Sequence, residues 1–132
     1  MPKSVVDGEV ILFKLAYVSD ERYPNKKNRG EKDPKLIFNI GKLINHMMSP
    51  NYIFHSANDS IENLIVAKQP GKIYRDTVWF KYIDHSKENI KVLRKKAIEI
   101  FIESKQKKLD EALLTVKCMK ETIEFLEECS ND

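Results

Sequence analysis

Apolar residues fall in separate bursts along this chain, and the period within each burst predicts an element. Residues 9 to 18, Glu-Val-Ile-Leu-Phe-Lys-Leu-Ala-Tyr-Val, are dense in β-branched and aromatic side chains and read as a buried strand. Residues 19 to 33 hold almost nothing to bury and read as a long, solvated, basic loop. Asp33 followed by Pro34 is a helix start signal, because the capping carboxylate precedes a residue that needs no amide donor. The stripe Leu36, Ile37, Ile40, Leu43, Ile44, Met47 and Met48 then predicts a helix that Ser49-Pro50 stops. Gly41 inside that stripe marks a close approach of another helix or strand.

Residues 51 to 55 form a short aromatic and β-branched run. Ile61, Leu64 and Ile65 predict two or three helical turns that end before a turn at Pro70-Gly71. Lys72 to Ile83 is the best strand candidate, either as one strand or as two folded at Arg75-Asp76. Val78, Phe80 and Tyr82 would share one face, and Thr77, Trp79, Lys81 and Ile83 the other. Two apolar faces predict partial burial of each, as in a central strand.

From Ser86, a suitable N-cap with Glu88 in the first turn, neither Gly nor Pro recurs, so about 43 residues are open to helix. Ile90, Leu93, Ala97, Ile100 and Phe101 make one stripe. Leu109, Ala112, Val116, Met119, Ile123 and Leu126 make a second, in strict alternation of threes and fours. The two registers do not join. Glu103 to Lys108 between them presents no apolar side chain, so the segment is either one long helix with a polar waist or a helical hairpin. The expected fold is α+β: a small mixed body of short strands and two helices over about 9–83, then the helix or hairpin at 86–128. Residues 1–85 form the body and 86–132 the helical segment of the same structural unit.

Charge sharpens this picture. Residues 86–109 carry eight basic side chains against three acidic ones, a net of +5, and residues 110–132 carry two against seven, a net of −5. Antiparallel pairing of the halves, within the chain or across a two-fold dimer, sets unlike charges together, whereas a parallel dimer sets like charges together. The whole chain is only +3 over 132 residues, with 33% charged and 42% hydrophobic. That composition fits one globular domain able to bury a core, and excludes a multidomain enzyme or a wholly disordered chain. The longest apolar run, 10–18, is interrupted by Lys14 and is too short for a membrane span; no cleavage site follows it. Cys118 and Cys129, about 16 Å apart along a helix, cannot bridge within it, so a reducing cytoplasmic setting is expected.

Candidate chemistry is sparse. His46, His55 and His85 are scattered one to a segment, which argues against a metal site, and neither cysteine has an electropositive setting in sequence. The familiar phosphate-binding and hydrolase motifs are missing, so no cofactor, catalytic residue or small-molecule substrate is expected. Asp76, Asp84 and His85 are the one imaginable acid/base group, though turn and capping roles explain them more simply. The macromolecule-binding candidates are Lys26, Lys27 and Arg29 in the loop, with Lys91, Arg94, Lys95 and Lys96 on the helix. The helix-pairing candidates are Leu109, Ala112, Val116, Met119, Ile123 and Leu126.

In texture the chain, small and rich in Lys, Asn and Ile, resembles accessory proteins of bacteriophages and mobile elements, which implies binding to a component in the host cytoplasm. The expected function is a non-catalytic binding or regulatory protein that occupies a macromolecular surface, protein or nucleic acid. The alternatives are an assembly protein forming an antiparallel helical homodimer through 86–128, and a sequence-nonspecific nucleic-acid binder.

Overall fold

A computed structural model describes residues 5–17, 34–46, 50–56 and 64–131. The predicted basic loop, with Asp33, Met47 and Met48, lies outside them. Five strands come first: β1 (Val10–Tyr17), β2 (Pro34–Asn45), β3 (Tyr52–Ser56), β4 (Leu64–Val66) and β5 (Thr77–Lys81). One helix follows, α1 (Lys87–Ser130). All strand pairs are antiparallel, and the order is β4-β3-β2-β1-β5.

The architecture is α+β with a long C-terminal helix, as the sequence predicts, but among the described residues α1 is the only helix. Over the described residues 34–46 and 64–69 the two expected helices are replaced by β2 and β4, and Ile61 lies outside the described residues. In β2, Leu36 and Ile40 of that stripe fall with Phe38 on a period of two, opposite Leu15, Ile11 and Phe13 of β1 respectively. β1 pairs with positions 34–41 and β3 with 41–45, so ladder hydrogen bonds supply what a helix would have made locally. Long-range pairing of β-branched residues outweighs a helical period that already contains a glycine. β4 is short and lies against β3, with Val66 opposite Tyr52.

The sheet curls. Gly41 is the position where β3 joins β2, and an added Cβ there would collide with the His55 carbonyl oxygen and come within 2.9 Å of the Phe54 ring. β5 is therefore not central but last in the strand order. The segment after β4 closes on it: the Gly71 amide donates to the Trp79 carbonyl at 2.9 Å, and the Trp79 indole N–H donates to the Ala67 carbonyl at 2.7 Å. The expected fold at Arg75-Asp76 is present as a two-residue turn, with both residues at positive φ and Tyr74 bridged to Thr77.

Curling gives β1 two buried faces. Val10 and Leu12 join Leu43, Phe54, Val66 and Trp79 in one apolar cluster. Ile11 and Phe13 join Val78, Tyr82, Leu93, Ala97 and Phe101 in the other, so the first turns of α1 cap that side of the sheet. Phe13 is the hinge of this layer, with ring centroids 6.0 Å from Phe38 and 6.2 Å, edge-on, from Phe80. Each large side chain buried this way stabilises by about 1.5–3 kcal/mol.

α1 starts where the sequence places it. The Asn89 amide donates to the Ser86 hydroxyl at 3.2 Å, the N-cap bond, and the Ser86 amide donates to the Asp84 carboxylate at 2.9 Å. No hairpin forms: the 44 residues are one helix that runs through the polar waist. The chain divides into two compact units, Met1–Phe101 and Ile102–Asp132. Among the described residues, no helix is long and apolar enough to cross a membrane.

Candidate docking face on the C-terminal helix

The second unit is helix alone, and every described side chain from Gln106 onward is exposed. Leu109, Val116 and Ile123 recur every seven residues, as do Ala112, Met119 and Leu126, so the six share one side of the helix. Ala112 is exposed and the other five are 47–62% exposed. Leu113 widens this seam, while Leu114 and Phe125 are equally exposed on the far side. Such a concentration of exposed large apolar residues is unusual on a surface that only meets water. The Thr115 and Thr122 hydroxyls donate back to the Glu111 and Cys118 carbonyls, at 3.0 and 2.9 Å. Cys118 and Cys129 are free and exposed. The last turn carries Glu127 and Glu128 and no basic residue, which is the unfavourable sign for a helix C-terminus.

The first part of α1 presents a different surface. Leu93, Ala97 and Phe101 are turned into the core, which leaves Lys91, Arg94 and Lys95 exposed at i, i+3 and i+4 on one side. Lys87, which the sequence crowds into the same turns, precedes Lys91 by one turn and extends this basic strip. Lys96 is exposed but stands about 100° around the helix from Lys95. Lys26, Lys27 and Arg29 lie outside the described residues.

The acid/base trio is not assembled. The Asp76 carbonyl accepts from the Leu15 amide at one end of β1, whereas His85 lies by Glu9 at the other end, its Nε2 3.8 Å from Glu9 Oε1. Six residues of strand separate these points, about 20 Å. Asp84 serves the helix start, and the hydrogen bond from the Ser86 amide lowers its carboxyl below the ordinary value. His85 stacks on the Tyr82 ring at 4.5 Å, with Nε2 3.1 Å from the Tyr82 carbonyl oxygen.

Sequence reasoning missed the shallow cleft around this histidine, about 490 Å³, lined by Asp7, Gly8, Glu9, Lys42, Tyr82, Ile83 and His85. Only the β1–β2 register brings Glu9 and Lys42 near each other, and no local signal announces it. Among the described residues no three His, Cys, Asp or Glu side chains cluster as metal ligands would. No protein-family model, curated protein or solved structure matches the chain.

Proposed function

We propose that this chain is a non-catalytic binding protein that occupies a macromolecular surface, with the 109–126 seam of α1 as its protein-docking face. The observation that carries this reading is the seam itself: six apolar positions in heptad spacing, all exposed, on a helix segment with no packed side of its own. Isolated helices draw little stability from propensity alone, and most helical stability in proteins comes from packing an apolar face. A partner helix or groove laid along the seam supplies that packing and reads it as i, i+3, i+4 and i+7 anchors. A photo-crosslinking residue placed at Val116 or Ile123 in cells should capture a discrete protein, while the same residue at Glu124, off the seam, should not. Equal capture from both positions, or none from the seam, would contradict the reading.

A second reading rests on the strip Lys87, Lys91, Arg94 and Lys95, which presents four exposed positive charges along one side of the helix. Such a strip suits the phosphate backbone of a nucleic acid, with affinity falling steeply as salt rises. Fluorescence anisotropy with labelled DNA and RNA tests it. Lys91→Glu, Arg94→Glu and Lys95→Glu together should abolish binding and its salt dependence, and unchanged affinity would exclude this contact.

A further inference from the structure

We infer that the seam is covered by a second copy of this chain, paired antiparallel in a single register centred between Lys117 and Cys118. The inference rests on the reading of 109–126 as a docking face, and names its occupant. In an antiparallel pair of helices each a-type position faces a d-type position of the neighbour. One alignment does this for all six seam residues: Leu109 meets Leu126, Ala112 meets Ile123, and Val116 meets Met119, each pair occurring twice about the two-fold axis. The smallest side chain is thus set against a large β-branched one, and no layer is built from two small side chains. A parallel, in-register pair would instead set Ala112 against Ala112 and leave a thin layer between thicker ones.

Charge selects the same alignment. The antiparallel register brings Lys108, which flanks the seam, to the level of Glu127 of the second copy, at both ends of the pair. The parallel one brings lysines to lysines and glutamates to glutamates. Exposed pairs of this kind contribute little affinity singly, but like charges placed together decide against an orientation. The helix end adds to the argument. Glu127 and Glu128 sit at a C-terminus with no basic residue of its own, where a positive charge is favoured. The second copy's Lys108 arrives there only in the antiparallel pair.

The test uses the full chain carrying Cys118→Ser and Cys129→Ser, with Leu109→Cys in one preparation and Leu126→Cys in another. These positions are 17 residues apart, about 26 Å along the helix, so mild oxidation reports orientation. Mixing the two should give several-fold more disulfide-linked dimer than either alone. Ala112→Cys mixed with Ile123→Cys should repeat the result, which guards against a single perturbed site. Dimer formed as readily by either variant alone would overturn the register and orientation. A wild-type mass equal to the 15.4 kDa of one chain at all concentrations would overturn self-pairing altogether. A monomer whose Val116 position still crosslinks to another protein would overturn this inference and leave the docking reading standing.

Discussion

A methyl group at position 41 would meet the backbone carbonyl of His55, which cannot rotate away, as well as the Phe54 ring. Gly41→Ala should therefore cost about 2 kcal/mol, the scale of an overpacked core, in urea denaturation; wild-type stability would mean that β3 does not approach β2 so closely. Trp79 is the other residue on which closure of the sheet depends. Trp79→Phe keeps an aromatic ring in the cluster but leaves the Ala67 carbonyl without its donor, and should cost about 1–3 kcal/mol. An unaffected variant would show that the indole bond does not hold the curl. At the start of α1, Asp84 is stabilised in its charged form by the Ser86 amide, so its folded pKa lies below the unfolded one. Its contribution is complete above the ordinary carboxylate value and is lost as pH falls through the folded value. Asp84→Asn should lower the thermal midpoint at neutral pH, with the gap to wild type closing in acid. A gap independent of pH would assign the effect to something other than charge.

At the scale of elements, the turn before β5 departs furthest from local preference. Arg75 and Asp76 have φ of 47° and 58°, a left-handed pair that two-residue hairpins favour but that arginine adopts reluctantly. Arg75→Asn with Asp76→Gly should raise stability by about 1 kcal/mol in the same denaturation assay, and destabilisation would mean that the Arg75 contact with the Tyr74 ring outweighs the strain. This turn was legible in sequence as a break between two strands, as were β1, the Pro70-Gly71 turn and the start of α1. β2 was not, because Leu36, Ile40 and Leu43 fit a helical period as well as a strand whose Leu36 and Ile40 pack against one apolar cluster and whose Leu43 is buried in the other. Which period applies is settled by the pairing of β1 with β2, elements separated by 16 residues of sequence, and no window of local sequence contains both partners. The docking seam shows the converse. Leu109 to Leu126 could be read directly, because heptad spacing is a local property of one helix. The cleft around His85 could not, since Glu9 and Lys42 come from two strands.

At the scale of the whole molecule, α1 carries surfaces of opposite kind. Its first turns are anchored by Leu93, Ala97 and Phe101 and show lysine and arginine outward; from Gln106 onward its described side chains are exposed, with an apolar seam and an acidic end. A strip anchored on a folded body suits a fixed contact, and a helix without a packed face calls for a partner. Val116→Asp with Ile123→Asp places two charges in the middle of the seam and touches nothing in the core, so the body should fold unchanged. The most direct test of the account is amide hydrogen exchange on wild type and this double variant at the same high protein concentration. Residues 109–126 should be protected in the wild type and exchange freely in the variant, while 90–101 remain protected in both. Equal exchange of 109–126 in the two proteins would contradict the claim that this face is covered.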